Sequence, residues 1–305
     1  MLDNREWQEQ VTAVAANIRK RGFGYVMSND GGYLSQICSS AEIFSWLYIR
    51  GMNLGPSIAP MVPEPFMGVP GQGRPYVSGA DYNGAKSPDR DRFIFSPAHY
   101  ALVLYLALIE VGRMSPAGLD KFNEDGGTVE MISAEHSPGA EITTGSLAQA
   151  LSVAGGIAMA RRMRGEAGNT WVLMSDGEFQ EGQTWEAIQT LSAYGLDKVK
   201  VIVDVNEQQC DGPMESVMPV GSLKDKITAF GAVAFDVDGH DVEAFDRAAN
   251  TDTKGKPLFI LARTNPTQGV PLLETRRPTL HYLRFGSDDE KQRFQSAYET
   301  MLSEV

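Results

Sequence analysis

The chain has 305 residues, of which 42% are hydrophobic and 22% are charged, a composition typical of a soluble globular protein. Its formal net charge of −12 argues against a nucleic-acid-binding surface, which would need clustered lysine and arginine. Cys38 and Cys210 are too few for a disulfide framework or a thiolate zinc site. No apolar run approaches the roughly 20 residues of a membrane helix, and residues 1–10 show no signal peptide. We therefore expect a cytoplasmic protein.

The first part of the chain predicts helices separated by irregular segments. Apolar residues at helical spacing indicate an opening amphipathic helix: Trp7, Val11, Val14, Ala15 and Ile18. A glycine-containing turn over 28–32 leads to a second helix, predicted over 39–48. The Pro- and Gly-rich segment 53–86 shows no periodicity, and loops of that length commonly serve a function or an interface. A mobile surface insertion is the alternative.

From Arg92 onward, strands alternate with helices. Short apolar or β-branched runs predict strands over 92–95, 170–174, 199–204, 232–237 and 257–263. Helical patterns predict helices over 99–111, 146–164, 184–194, 223–230, 242–249 and 287–303. This alternation predicts an α/β fold with a doubly wound, mostly parallel sheet and helices on both faces. We expect one domain over 1–305, with 53–86 as an insertion.

Polar side chains follow two successive predicted strands. The run 175–178 (Ser-Asp-Gly-Glu) comes directly after one strand, and 204–208 (Asp-Val-Asn-Glu-Gln) ends the next. Because ligands of parallel sheets bind beyond the carboxyl ends of strands, Asp176 and Asn206 should face one crevice. Each run alone is more often a turn or a loop cap. Together, their oxygen donors suit Mg²⁺ and a diphosphate, and Gly177 permits a close approach of phosphate to the backbone.

A spaced set of runs extends this pattern along the chain. Its members are 89–99, 141–149 (Glu-Ile-Thr-Thr-Gly-Ser-Leu-Ala-Gln), 176–186 (Asp-Gly-Glu-Phe-Gln-Glu-Gly-Gln-Thr-Trp-Glu), 202–206, 211–213 and 237–241. The set resembles the thiamine diphosphate motif, the substrate-cofactor loop and other blocks of the transketolase family. The resemblance covers most of the chain, apart from 53–86 and the C-terminal tail. It implies the thiamine diphosphate-binding fold.

The resemblance implies which residues bind the cofactor and its metal. Carried over from the family, Asp176, Asn206 and the backbone carbonyl of Gln208 bind Mg²⁺. Glu181 and Glu186 match acidic residues that link two cofactor sites across the family's dimer, which implies a catalytic role. The residues assigned to thiamine diphosphate are Gly145, Leu147, Asp176, Gly177, Glu178 and Asn206.

The resemblance is incomplete in the substrate channel, which transketolases line with several histidines. His99 is retained as a catalytic candidate, and His281 is a candidate for a later channel histidine. Asn29 replaces one histidine and Met131 another, whereas His136 lies near Met131 in sequence but is not aligned with it. Channel histidines bind sugar hydroxyls and shuttle protons. We therefore expect the cofactor to be kept while the donor or acceptor differs from the standard pentose phosphates.

The resemblance also implies a partner chain. Full-length transketolases have a second domain that holds the aminopyrimidine and carries the activating glutamate, which no residue here matches. The chain would then be the diphosphate-binding subunit of a split, two-subunit transferase of two-carbon ketol units, assembled as α2β2.

Two alternatives remain open. One is an E1-type component that decarboxylates 2-keto acids and passes an acyl or hydroxyacetyl unit to a carrier arm; the other is a non-catalytic scaffold.

Overall fold

A computed structural model describes residues 6–74 and 76–303. Residues 1–5, which include part of the segment where we expect no signal peptide, lie outside the described residues, as do 75 and 304–305. The α-helices are α1 Glu6–Ser28, α2 Leu34–Trp46, α3 Ala101–Glu110, α4 Gln149–Met163, α5 Gly182–Ala193, α6 Met214–Val217, α7 Leu223–Ala229, α8 Val242–Ala249 and α9 Asp288–Ser303. The strands are β1 Gly31–Gly32, β2 Arg92–Phe95, β3 Thr170–Ser175, β4 Val199–Val205, β5 Gln208–Gln209, β6 Gly212–Pro213, β7 Val233–Asp238, β8 Leu258–Arg263 and β9 Leu283–Arg284.

A five-stranded sheet in the order β2-β3-β4-β8-β7 forms the centre of the structure, and each neighbouring pair is parallel. Successive residues of β3 enter different apolar clusters, because side chains alternate across a strand. Trp171 and Leu173 pack with α1, α2 and α3, whereas Val172 and Met174 pack with α4, α5 and α7. The prediction of a parallel sheet with helices on both faces is confirmed. No helix in the described part of the chain is long and apolar enough to cross a membrane.

Several helix starts differ from the predictions, by up to five residues. The second helix begins at Leu34, not at residue 39; all its residues are buried, so no polar face marks its start. The helix predicted from residue 146 begins at Gln149, because Ala148 has a φ of +71° and ends the preceding loop. The helix predicted from His99 begins at Ala101, after a 3₁₀ turn.

A short antiparallel ladder joins the N-terminal and C-terminal parts of the chain. Gly31 pairs with Arg284, and Gly32 pairs with Leu283. Both glycines have positive φ, and a Cβ on Gly31 would stand 2.5 Å from the carbonyl oxygen of Leu283. This close approach brings the segment around residue 281 beside Tyr33, where it completes one wall of the candidate site.

The segment 53–86 is largely irregular, as predicted, with a 3₁₀ helix over Gly79–Asn83. Its backbone bonds the loop 124–140: the Phe66 amide donates to Gly126 (2.8 Å), and the Gly139 amide donates to Gly79 (2.9 Å). Several apolar side chains of the segment are exposed, among them Val69 at 73%. The segment therefore borders the loop that leads into residues 141–149.

A buried ion pair connects α1 with α2. The guanidinium of Arg19 donates to Glu42 (2.6 Å) and to the Cys38 carbonyl (2.8 Å). His240 also contacts Glu42 through Nδ1 (3.1 Å), and its Nε2 accepts from the Asn265 amide (2.9 Å). Both nitrogens of His240 are therefore used in holding the α8 end of the sheet against α2.

Replacing Glu42 by Ala should lower the free energy of unfolding by about 3–5 kcal/mol, because Arg19 would be left buried without its carboxylate. Urea denaturation measures this change. The exposed pair Lys121–Glu124 provides the control, and Glu124→Ala should cost no more than about 1 kcal/mol. Equal losses in the two variants would contradict the importance of the buried pair.

Candidate active site

Asp176 follows β3 at the carboxyl edge of the sheet and is 2% exposed. Its Oδ2 accepts the Glu207 backbone amide at 2.7 Å. Its Oδ1 is buried, with no hydrogen-bond partner in 6–74 or 76–303. Burial, reinforced by the negative charge of Asp204, raises the pKa of Asp176 well above its usual range. A buried carboxylate oxygen without a partner is costly, which indicates that a ligand completes the site.

Asn206 lies one residue beyond β4 and has a fixed amide. Its Nδ2 donates to the Tyr100 hydroxyl (3.0 Å) and to Asp204 (2.9 Å), while its Oδ1 accepts the Gln208 amide (2.9 Å). Because both amide hydrogens are used, the oxygen is the only amide atom left to meet a further group. The Glu207 amide that bonds Asp176 holds this loop against the end of β3. The structure thus brings Asp176, Asn206 and Gln208 together, as the sequence predicted.

The donor set at this edge suits a magnesium ion shared with a diphosphate. Among the described residues, no group of three or more His, Cys, Asp or Glu side chains is arranged to hold a metal. One carboxylate, one amide oxygen and one backbone carbonyl are hard oxygen donors that leave positions for phosphate oxygens. A cavity of about 480 Å³ opens beside Asp176 and is also lined by Gln208, Arg263 and Arg277. The residues present therefore fit the cofactor and the metal.

Asp204 is a site residue that the sequence analysis did not single out. It is fully buried at the end of β4, and its carboxylate accepts hydrogen bonds from Ser39 (2.7 Å), Tyr100 (2.8 Å), Asn206 and Thr264. Burial raises the pKa of Asp204, and these bonds oppose that effect. Its place two residues before Asn206 was a usable signal, but its partners lie on distant segments.

Glu178, which the resemblance assigns to the cofactor, holds a loop through its side chain. The residue is fully buried, and both carboxylate oxygens have protein donors. Oε1 accepts from Ser96 and from the Ala148 amide (3.0 Å), while Oε2 accepts the Ser175 amide (2.8 Å). The side chain therefore joins the ends of β2 and β3 to the loop that precedes α4.

Of the other predicted cofactor residues, Gly145 and Leu147 lie on that loop, and Gly177 lies in the 3₁₀ turn after β3. Gly145 is exposed, Leu147 is half-buried, and Gly177 is partly buried beside Gln209. Glu181 and Glu186 are exposed, the first at the start of α5 and the second within it. The structure places this loop at the carboxyl edge of the sheet and leaves both glutamates on the surface.

The two candidate histidines meet although they lie far apart in sequence. The rings of His99 and His281 have centroids 5.1 Å apart, and Tyr33 lies 5.6 Å and 5.5 Å from them. Burial, and secondarily His281, lowers the pKa of His99 to about 3. Burial also lowers the pKa of His281, whose Nδ1 is 3.1 Å from the Gln36 amide nitrogen. Two neutral imidazoles thus stand side by side, able to accept or donate hydrogen bonds.

The positions where histidines are replaced also come together. Asn29 and Met131 line one cavity of about 350 Å³, here called the Asn29–Met131 cavity. Tyr33 belongs to its wall and connects it to the two histidines. His136 lies apart, stacked on Phe66 at 4.4 Å. The cavity also includes the side chains of Tyr25, Leu102, Phe122, Asn123 and Tyr282.

The fold and these contacts define an α/β protein with a polar ligand site at the carboxyl edge of a parallel sheet. Residues 78–297 match the family described as "Transketolase, thiamine diphosphate binding domain", and the chain belongs to this family. It is 40% identical over 200 residues to a transketolase family protein of Sinorhizobium fredii, covering 64% of this chain and 71% of that protein.

The chain is also similar to a transketolase subunit and to a solved transketolase, and it covers a larger share of the first than of the second. The chain is 32% identical over 260 residues to a 6-deoxy-6-sulfo-D-fructose transketolase subunit of a Clostridium species, covering 84% of this chain and 82% of the subunit. The solved transketolase from Leishmania mexicana shares the fold, with a TM-score of 0.65 and 22% identity over 96% of this chain. This chain spans 45% of that transketolase.

The low pKa of His99 predicts a specific loss of stability in mild acid. The pKa of His99 in the folded chain is about 3, below the ordinary 6.5. Between pH 7 and pH 5, the unfolded chain therefore binds a proton at His99 that the folded chain does not bind. Stability due to His99 is full above pH 6.5 and should fall by about 2 kcal/mol by pH 5. Urea denaturation of His99→Gln should show a correspondingly smaller drop than the unmodified chain. Parallel pH profiles would contradict the prediction.

Proposed function

We propose that this chain is the diphosphate- and Mg²⁺-binding subunit of a two-subunit, transketolase-like transferase. The unpartnered Oδ1 of Asp176, held beside the loop of Asn206, is the observation that carries the proposal. Family membership supports thiamine diphosphate as the cofactor. Asp176, Asn206 and the carbonyl of Gln208 would hold Mg²⁺, and Gly177 would lie against the diphosphate.

The surrounding residues would orient the cofactor. The loop with Gly145 and Leu147 would flank it, and Glu178 would hold that loop through the Ala148 amide. Bound thiamine diphosphate supplies the electron sink for cleaving and forming carbon–carbon bonds. The protein's part is to place the ends of the strands and to exclude water around the buried carboxylates.

Charged and imidazole groups would act at the two ends of the site. Glu181 and Glu186 are exposed, which supports a role in linking cofactor sites across a subunit interface. His99 and His281 would hold the substrate and move protons at the reacting carbon, since a neutral imidazole can both donate and accept. We propose these four residues as the catalytic contributions of this chain.

A partner chain would supply the aminopyrimidine-binding domain and the activating glutamate, in an α2β2 assembly. A relative named as a transketolase subunit, 82% of which the chain covers, supports this division. The relatives reported above are all named as transketolases, which favours two-carbon ketol transfer over the decarboxylating E1-type alternative. The altered channel supports substrates other than the standard pentose phosphates.

Replacing Asp176 by Asn should weaken Mg²⁺-dependent binding of thiamine diphosphate by about 100-fold, because an anionic metal ligand becomes neutral. The metal-free variant should be at least as stable as the unmodified chain, since a buried charge is removed. Calorimetry with the partner present measures binding, and urea denaturation measures stability. Asp252→Asn, at an exposed pair with Lys254, is the matched control. Unchanged affinity in Asp176→Asn would refute the assigned metal ligand.

Thiamine diphosphate with Mg²⁺ should bind tightly only when both chains are present. This chain provides the diphosphate half of the contacts, so we expect binding to the chain alone to be weaker by about 100-fold or more. Titration of the chain alone, of the partner alone and of the mixture tests this. Equally tight binding to this chain alone would show a complete pocket and overturn the split site.

A further inference from the structure

We propose that Arg284 binds the terminal oxyanion, a phosphate or a sulfonate, of a sugar acceptor whose carbon chain lies in the Asn29–Met131 cavity. The inference rests on the proposed function, because it treats the cavity as the acceptor end of the same site. It deepens that function by naming the chemical class of the substrate and a residue of this chain that would select it.

The short ladder between β1 and β9 places Arg284 on the side of the cavity. Side chains alternate across a strand, and Leu283 is buried, so Tyr282 and Arg284 share the opposite face. The guanidinium carbon of Arg284 lies 5.0 Å from the centre of the Tyr282 ring, which lines the cavity. Across the ladder, Arg284 is paired with Gly31, which has no side chain to cover this face. Arg284 therefore stands at the rim of the cavity.

The positive charge of Arg284 is available to a ligand. In the described part of the chain, its exposed guanidinium contacts the Tyr282 ring and forms no ion pair or side-chain hydrogen bond, so its five N–H donors have no protein acceptor. The neighbouring carboxylate of Asp30 pairs with Lys291 instead. Burial and Tyr282 raise the pKa of Tyr33, and the charge of Arg284 opposes this rise, so the charge acts on the cavity wall. Because the net charge of the chain is −12, an anionic substrate needs such a local cation.

The cavity wall offers neutral hydrogen-bonding groups to the hydroxyls of a sugar. Four polar side chains of the wall form no hydrogen bond within the described part of the chain: Tyr25, Tyr33, Tyr282 and Asn123. Burial raises the pKa of Tyr25 to about 12, so its phenol is a neutral donor near pH 7. A phenol and a primary amide can each donate and accept, as the binding of a sugar hydroxyl requires. The wall therefore suits the carbon chain of a polyol.

The position of Arg284 relative to the two histidines suits an acceptor with a charged far end. Tyr33 contacts the rings of His99 and His281, at which the aldehyde group would react. Arg284 lies three residues beyond His281, which is at most about 11 Å of chain. An acceptor whose aldehyde group meets the imidazoles can therefore extend its other end toward the guanidinium. Arginine suits that end because its planar, paired donors match the oxygens of an oxyanion.

The test compares acceptors with the assembled two-chain enzyme, using 3-hydroxypyruvate as donor. The donor loses CO₂ as its carbon–carbon bond breaks, and the remaining two-carbon unit keeps the electron pair. That unit bonds to the aldehyde carbon of the acceptor, whose oxygen takes a proton. The acceptors are D-glyceraldehyde 3-phosphate, its 3-sulfonate analogue and unsubstituted D-glyceraldehyde, which differ at the end that Arg284 would bind.

Arg284→Gln should lower kcat/KM at least about ten-fold for the acceptor whose oxyanion the site takes, chiefly through KM, because a charge-assisted contact is lost. The value for unsubstituted glyceraldehyde should stay unchanged. Arg284→Lys should restore part of the loss, because lysine keeps the charge without the paired donors. Arg164→Gln is the matched control and should change none of the values, since Arg164 is 62% exposed and lies between the end of α4 and the start of β3. A loss with the phosphate, with the sulfonate or with both identifies which oxyanion binds.

Transfer to unsubstituted glyceraldehyde separates the two proposals. Equal losses for charged and uncharged acceptors, or no loss with either oxyanion, overturn the role of Arg284, while the transfer itself leaves the proposed function intact. If no two-carbon unit reaches any acceptor, the proposed function fails, and the anion site is then tested by binding alone. Calorimetry should show glycerol 3-phosphate bound by the unmodified assembly and by Arg164→Gln, and about ten-fold more weakly by Arg284→Gln. Absence of binding, or equal binding by all three assemblies, overturns the inference.

Discussion

The buried carboxylate of Asp204 is the interaction on which the geometry of the site depends. It accepts hydrogen bonds from side chains of α2, of the turn before α3, of the loop after β4 and of the loop after β8. A carboxylate without water is stable only when its acceptor positions are filled, so these four segments must converge at one point. This convergence fixes the position of Asn206, because its side-chain amide donates hydrogen bonds to Asp204 and to Tyr100.

Glu178 performs a similar role on the other side of Asp176. Its two oxygens gather the ends of β2 and β3 and the loop before α4, and like Asp204 it is fully satisfied. Asp176, by contrast, has one oxygen unpartnered among the described atoms. Asp204 and Glu178, whose oxygens are all hydrogen-bonded, complete the fold, whereas Asp176 has an oxygen free to meet a ligand. We interpret the cost of the buried Asp176 as the reason why this edge should bind a cation and a phosphate.

The edge around Asp176 and the Asn29–Met131 cavity are linked through neighbouring residues but have different chemistry. Tyr100 belongs to the Asp204 network, and the preceding His99 stacks with the aromatic residues that lead to the Asn29–Met131 cavity. Oxygen donors and buried charge dominate the first region, whereas neutral aromatic and amide groups dominate the second. The residues of the two regions can therefore change independently of each other.

The sequence by itself determined the strands, the covered parallel sheet and the pairing of Asp176 with Asn206, because strand periodicity and strand ends are local features of a chain. It also placed the glycine-containing turn within 28–32. Only the tertiary structure decided the meeting of His99 with His281, the partners of Asp204 and Glu178, and the cavity between Asn29 and Met131. These contacts join residues separated by tens to hundreds of positions, such as Tyr100 and Asp204 at a separation of 104. The geometry of these contacts follows from the packing of whole helices and strands and from the need to hydrogen-bond buried polar groups. Neither can be predicted from the local periodicity of the sequence.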